Sequence, residues 1–189
     1  MVQENNKTSF WQPIGSMLKF TSNIIFKKPS TWIVFAIFSI MVLLLCLMPK
    51  FLSIGMPVYQ AVSSTIIYGS IGVALSSGIQ GVLRGLNIFK DSQKQGVEII
   101  LVSKPISRNQ VLLSRFIFLI CFSLLIAITN VLFTTIAMAI VGFNAYSNVL
   151  LIIFGTFGSS IISFLVMALI AIMFNAPSFG TGNFYISLY

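Results

Sequence analysis

Four long apolar segments divide the chain, and polar or charged stretches separate them. They cover residues 31–48, 58–83, 116–142 and 149–174, and none of them contains an aspartate, glutamate, lysine or arginine. An α-helix needs about 20 predominantly apolar residues to cross the hydrocarbon core of a bilayer. The pattern therefore predicts an all-α fold, a polytopic membrane helix bundle with about four spans.

The overall composition agrees with this pattern. Of the 189 residues, 57% are apolar and 7% are charged, and the mean hydropathy is +1.01. Soluble domains contain about 45–50% apolar and about 25% charged residues, so this chain has too few charges to cover a surface in water. Soluble enzymes and nucleic-acid-binding proteins are thereby excluded. Membrane lipid is an expected partner, and we attribute the net charge of +8 to membrane topology.

The positive charges are distributed unevenly between the two sides of the predicted bundle. Ten of the eleven lysines and arginines precede the first segment or lie between the second and third, whereas Lys50 lies between the first and second. Lysine and arginine are enriched in cytoplasmic loops. The sequence therefore predicts a multi-pass protein of the cell membrane with a cytoplasmic N-terminus and a cytoplasmic loop at 84–115.

Few residues of this chain are suited to catalysis or metal binding. The carboxylates are Glu4, Asp91 and Glu98, the cysteines are Cys46 and Cys121, and there is no histidine. No pair among them has the spacing of metal ligands, and no P-loop motif for ATP occurs. We therefore expect no enzyme activity, no metal and no cofactor in this chain, so that a partner or a gradient must supply any energy.

The first 30 residues form a separate amphipathic segment before the transmembrane region at 31–189. Apolar residues such as Trp11, Ile14 and Leu18 recur at spacings of three and four, and lysines follow at 19, 27 and 28. This pattern is typical of a helix at the membrane interface, and Pro29 is expected to end it. The segment is either a simple leader to the first span or a functional elbow.

The loop between the second and third segments has its own helix signals. Ser92 with Gln95 and Ser107 with Gln110 both fit the capping-box pattern at a helix start. They predict a short helix at about 93–102, a turn at 104–108, and a second helix that starts near 109 and continues into the third span. The apolar side of the short helix either packs under the bundle or binds a partner.

Small residues recur at four-residue spacing in the second and fourth segments. The residues expected at helix contacts are Ser70, Ala74, Ser77, Gly78, Gly81, Gly85, Gly155, Ser159 and Ser163. Small side chains let helices approach closely in membranes, so these two spans should pack with each other or across a dimer. A substrate groove lined by the serines is the less favoured alternative. Asn130, in the third segment, is more typical of a hydrogen bond between helices than of a substrate contact.

The loop also carries a sequence motif. An acidic residue and a glycine precede the pattern Glu-x-x-Leu-x-Ser-Lys-Pro-Ile-Ser-Arg-x-x-x-Leu, formed here by Asp91, Gly96, Glu98, Leu101, Ser103, Lys104, Pro105, Ile106, Ser107, Arg108 and Leu112. The motif resembles the cytoplasmic loop of ABC-2 type transporter permeases, and the amphipathic N-terminal segment is similar to the connecting helix of that family. Members usually have six spans, whereas this chain has four.

The resemblance implies a function for the loop. The chain would be a permease subunit, with export the favoured direction, that pairs with a second permease subunit in a homodimer or heterodimer. The loop would be a coupling helix that docks on a separate cytosolic ABC ATPase through Asp91, Gly96, Val97, Glu98, Ile100, Leu101, Lys104, Pro105, Ser107 and Arg108. In the alternative interpretation, these charges are simply solvated and Pro105 only ends a helix.

Two other functions remain open from the sequence. The chain could be a membrane scaffold or assembly protein whose loop recruits a different cytosolic partner. A small passive channel is a third class, but it is disfavoured because the segments contain no ring-forming charged or amide-rich pore signature.

Overall fold

The computed structural model describes residues 11–52, 58–94, 108–141 and 149–180, which form five α-helices and no β-strand. The all-α fold expected from the sequence is confirmed over these residues. In chain order the helices are α1 (Trp11–Lys27), α2 (Pro29–Leu52), α3 (Val58–Lys94), α4 (Arg108–Val141) and α5 (Val149–Gly180).

Four of these helices are long and apolar enough to cross a membrane. The qualifying stretches are Pro29–Phe51 in α2, Ser63–Ile88 in α3, Gln110–Val141 in α4 and Val149–Phe174 in α5. Their outward surfaces are apolar, and large side chains such as Leu44, Leu151 and Phe174 are exposed. Continuous apolar surface of this extent is unfavourable in water. The fold is therefore that of a multi-pass helical membrane protein.

The helices α3 and α4 are longer than the apolar segments that they contain. The second segment ends at 83, but α3 continues to Lys94, and α4 begins at Arg108, before the third segment starts at 116. A change from apolar to polar side chains does not end a helix, because the backbone hydrogen bonds continue until a proline or a capping residue intervenes. The short helix predicted at 93–102 lies outside the described residues beyond Lys94.

A single residue separates α1 from α2. Pro29 begins α2, and proline suits the first position of a helix because its missing N–H has no partner to lose there. The Lys28 N–H donates to the Ile25 carbonyl at 3.3 Å, and the Thr31 N–H donates to the Lys28 carbonyl at 3.0 Å. We call residues 25–32, where α1 passes into α2, the elbow.

The core of the bundle has two main clusters. One joins α1, α3, α4 and α5 through Ile25, Ile88, Phe118, Leu119, Phe122, Ile126, Phe164 and Ala168. The other joins α2, α3 and α4 through Val42, Cys46, Val73 and Ala137. The most extensive helix contact is that of α3 with α5, and α1 lies mainly against α4. Helix α3 is thus central to the bundle.

Helix α1 is amphipathic, as its sequence predicts. Its residues Ile14, Met17 and Ile25 are buried, whereas Lys19 and Lys27 are exposed. At about 3.6 residues per turn, the two lysines project from the side opposite the buried residues. The position of α1 at a membrane interface stays a prediction.

Candidate functional site

The predicted partner-binding loop is carried by the two longest helices of the bundle. Asp91 lies in the last turn of α3, and Arg108 is the first residue of α4. The other residues expected at the ATPase interface lie outside the described residues: Gly96, Val97, Glu98, Ile100, Leu101, Lys104, Pro105 and Ser107. The structure therefore describes the two helices that hold this loop and what those helices contact inside the bundle.

Arg84 of α3 connects the loop-bearing end of the bundle to the elbow. Its Nη1 donates to Thr31 Oγ1 at 3.4 Å, and Thr31 Oγ1 donates in turn to the Ile25 carbonyl at 2.8 Å. The guanidinium carbon also lies 4.8 Å from the ring centre of Phe122 in α4, a cation–π distance. One side chain of α3 thus contacts both α2 and α4.

Aromatic rings pack around Phe26 and hold the elbow against α4. The ring of Phe26 lies 5.7 Å from Trp32, 6.4 Å from Phe118 and 6.1 Å from Phe122, measured between ring centres. Trp32 also donates its indole N–H to the Phe26 carbonyl at 2.9 Å. Tilted and edge-on rings at such distances attract one another. The elbow is therefore packed on the same end of the bundle from which the loop extends.

The contact between α3 and α5 depends on glycine. A side-chain carbon added at Gly81 would lie 3.1 Å from the carbonyl carbon of Phe164, and one added at Gly85 would lie 2.5 Å from the carbonyl oxygen of Ala168. Both obstructing atoms belong to the backbone of α5, so they cannot rotate away. Only a residue without Cβ allows this approach. We call the contact formed at Gly81 and Gly85 the α3–α5 seam.

The seam continues along α3 toward its start. A Cβ at Gly78 would lie 3.3 Å from Ser163 Oγ, and Ser163 Oγ donates to the Ala74 carbonyl at 2.8 Å. The structure thus brings Ala74, Gly78 and Ser163 together at the same contact as the two closer glycines.

Three of the small residues predicted at helix contacts are placed differently. Ser70 and Ser159 are exposed, and each hydroxyl donates to a carbonyl of its own helix. No atom beyond the neighbouring backbone lies within 4 Å of a Cβ added at Gly155. The structure therefore does not bring Ser70, Gly155 and Ser159 into the α3–α5 seam.

A buried polar cluster lies where α3, α4 and α5 meet. The amide nitrogen of Asn130 donates to Ser77 Oγ at 3.0 Å and to Ser160 Oγ at 2.9 Å, and the two serine oxygens are 2.8 Å apart. Asn130 is 1% exposed, and both serines are fully buried. Hydrogen bonds between helices satisfy polar groups that would otherwise be buried without a partner. We call these residues the polar triad.

The sequence analysis predicted the interhelical role of Asn130 but missed Ser160. The predicted spacing selected its neighbour Ser159, which lies one position and about 100° around the helix from Ser160. The sequence did indicate that Asn130 has hydrogen-bond partners on other helices, because an asparagine buried in a span needs such partners. The sequence alone did not say which serine would provide one.

The chemistry of this region is that of helix association. The triad contains amide and hydroxyl groups, and Arg84 contacts the hydroxyl of Thr31 and the ring of Phe122. Over the parts of the chain that the structure describes, no three histidine, cysteine, aspartate or glutamate residues lie close enough to hold a metal ion. The arrangement fixes how α3 sits against α2, α4 and α5.

Comparisons with protein-family models, with curated proteins and with solved structures find no match to this chain. A function is therefore argued from the residues and their geometry.

Proposed function

We propose that this chain is the permease subunit of an ABC-2 type transporter, lying in the cell membrane with its N-terminus in the cytoplasm. A separate cytosolic ATPase would bind the cytoplasmic loop at 90–110 and drive export through the helices. A second permease subunit, identical or different, would complete the membrane unit together with any further spans that the family requires. The loop motif is the sequence basis of this proposal.

The observation that carries the proposal is the continuity of α3 from the seam to the loop. Its 37 residues correspond to a length of about 55 Å at 1.5 Å per residue, whereas the hydrocarbon core is about 30 Å thick. The helix therefore extends beyond the bilayer. It continues without a break to Lys94, which lies inside the motif. Helix α4, with 34 residues, returns from the motif in the same way.

This geometry gives a mechanical route from a bound ATPase to the bundle. A displacement applied at the loop acts on the ends of two rigid helices. Helix α3 cannot slide freely, because Gly81 and Gly85 seat it on the backbone of α5, so the displacement reaches α5 as well. ATP binding can shift the population of such states only through different contacts in each state, and the loop is where those contacts would be made.

The decisive experiment is site-specific photo-crosslinking from Lys104, followed by mass spectrometry of the captured protein. The expected result is a P-loop ATPase. Val97→Arg should then abolish its copurification, because a charge would enter the apolar face of the coupling helix. Asn148→Arg adds the same charge between the third and fourth segments, which the predicted topology places on the outer side of the membrane, and should leave copurification unchanged. Capture of a protein without ATPase motifs would favour the scaffold, and copurification that survives Val97→Arg would contradict the proposed interface.

The predicted orientation is tested separately by thiol labelling. In a Cys46→Ala, Cys121→Ala background, a membrane-impermeant maleimide should label Ser103→Cys in inside-out vesicles and not in intact cells. Labelling of Ser103→Cys from outside the cell would place the loop on the wrong side for a cytosolic ATPase and would end the proposal.

A further inference from the structure

The positive side chains of the described part of the chain gather at one end of the bundle. Of the six lysines and arginines whose side chains are described, Lys50 lies at the far end, where its Nζ donates to the Ile140 carbonyl at 2.6 Å. The other five lie at the end that holds the elbow: Lys19, Lys27, Lys28, Arg84 and Arg115.

The chain's own carboxylates are too few to neutralise this charge. The whole sequence contains three acidic residues against eleven lysines and arginines, and ten of these cations belong to the predicted cytoplasmic side. If each carboxylate neutralised one of the ten, seven would remain. The excess charge must be balanced by something outside the chain.

The elbow carries Lys27 and Lys28 beside the first membrane-crossing stretch. Lys27 and Lys28 directly precede the membrane-crossing stretch that begins at Pro29, so they lie next to the end of a predicted span. Lys19 and Lys27 are exposed on the outer side of α1. The elbow itself is fixed by Arg84 and the aromatic rings, so these lysines are presented on a rigid support.

We propose that Lys19, Lys27 and Lys28 form a binding surface for the phosphate headgroups of anionic phospholipids. Charge complementarity and the position beside the span favour lipid as the occupant, since a membrane crossed by this span would bring phosphodiester groups close to Lys27 and Lys28. Each basic residue held near an anionic membrane surface contributes about 1 kcal/mol, or about fivefold in association. The proposal requires that the four helices cross a membrane and does not depend on an ATPase partner.

The chain contains its own probes for this surface. It has two tryptophans, and they bracket the three lysines along the chain: Trp11 begins α1 and is 64% exposed, and Trp32 lies in the elbow. Lipids with brominated acyl chains quench tryptophan fluorescence on contact. Quenching of the purified protein in bilayers therefore reports which lipid occupies the elbow region.

The experiment compares quenching by dibrominated phosphatidylglycerol with quenching by dibrominated phosphatidylcholine at low salt. We expect the wild-type protein to prefer the anionic lipid at least about fivefold, and added salt to reduce that preference. The triple variant K19Q/K27Q/K28Q should lose the preference while remaining equally quenched by brominated phosphatidylcholine, which shows that the tryptophans have not moved. Lys50→Gln, which removes a lysine at the far end of the bundle, is the matched control and should keep the preference for the anionic lipid.

Three results would overturn the proposal. One is equal quenching of the wild type by the two lipids. Another is a preference that the triple variant retains, because the anionic lipid would then be bound by other groups. A preference abolished by millimolar inorganic phosphate at constant ionic strength would identify free phosphate as the ligand and would also contradict a lipid site.

Discussion

Replacing Gly81 with alanine tests the α3–α5 seam most directly. The added carbon would lie 3.1 Å from the carbonyl carbon and 3.2 Å from the Cα of Phe164, and the carbonyl oxygen is closer still. Carbon atoms attract best at about 3.5–4.0 Å, so these carbons alone would require α5 to move away by about half an ångström, and the closer oxygen requires more. Because the obstructing atoms are backbone, no rotamer change can relieve the clash.

The magnitude follows from a comparison with a second glycine. Overpacking of a close contact costs about 1–3 kcal/mol, while alanine is the better helix former by up to about 1 kcal/mol. Gly155→Ala gains the same helix propensity, but open space surrounds its new carbon. The difference between the two variants therefore isolates the clash, and we expect Gly81→Ala to be less stable than Gly155→Ala by about 1–3 kcal/mol.

The assay is reversible unfolding in dilute mixed micelles at rising dodecyl sulfate fraction, followed by circular dichroism. Dilution keeps one chain in each micelle, so that a second copy cannot pack on Gly155. A difference between the two variants below about 0.5 kcal/mol, within ordinary surface effects, would refute the seam. Gly155→Ala being the less stable variant would refute it as well.

Two further variants test the other contacts of α3. Asn130→Leu removes both hydrogen bonds that Asn130 donates in the polar triad. A hydrogen bond between membrane helices contributes about 0.6 kcal/mol on average and about 1.7 kcal/mol at most. The variant should therefore lower the free energy of unfolding by about 1–3 kcal/mol. Arg84→Lys keeps the charge but loses the planar group over Phe122, worth about 0.5–2 kcal/mol. It should shift the emission of Trp32 to longer wavelength as the elbow loosens.

Each of these variants has a matched control. Thr135→Val removes a hydroxyl that donates to the Leu132 carbonyl of its own helix, so Asn130→Leu must cost clearly more if the triad joins three helices. The arginine experiment uses a Trp11→Phe background, in which Trp32 is the remaining tryptophan. Unchanged emission there would mean that Arg84 does not hold the elbow.

The sequence predicted those parts of the fold that are determined by long apolar segments and by the position of proline. The four apolar segments led to four helices able to cross a membrane because a span needs a long apolar run whatever its neighbours are. The boundary at Pro29 was predictable because proline fits the start of a helix. The end of α3 was not predictable in this way, because there is no proline near residue 84 and the helix continues through the change from apolar to polar side chains.

The candidate site was less predictable because spacing does not reveal which side of a helix meets a neighbour. Gly81 and Gly155 both belong to four-residue patterns of small residues, yet the first lies against the backbone of α5 and the second faces open space. The choice of Ser160 as the partner of Asn130 likewise depends on the rotation of α5. Rotation is set by the packing of the whole bundle, which no local pattern contains.

Three contacts of α3 with the other spans lie in a short stretch between 77 and 85. Ser77 belongs to the triad that joins α4 and α5, Gly81 lies on the backbone of α5, and Arg84 reaches α2 through Thr31. These contacts lie within about 12 Å along the helix axis, directly before the part of α3 that extends to the loop.

Under the proposed function, this arrangement determines how a movement of the loop would be transmitted to the other helices. Displacement of Lys94 would pass to α4 and α5 through the polar triad and through Gly81, which lies on the backbone of α5. Variants that weaken the stretch, such as Gly81→Ala and Asn130→Leu, should then reduce ATP-driven transport while leaving ATPase binding to the loop intact. Loss of transport together with loss of ATPase binding would instead mean that these variants disturb the loop itself.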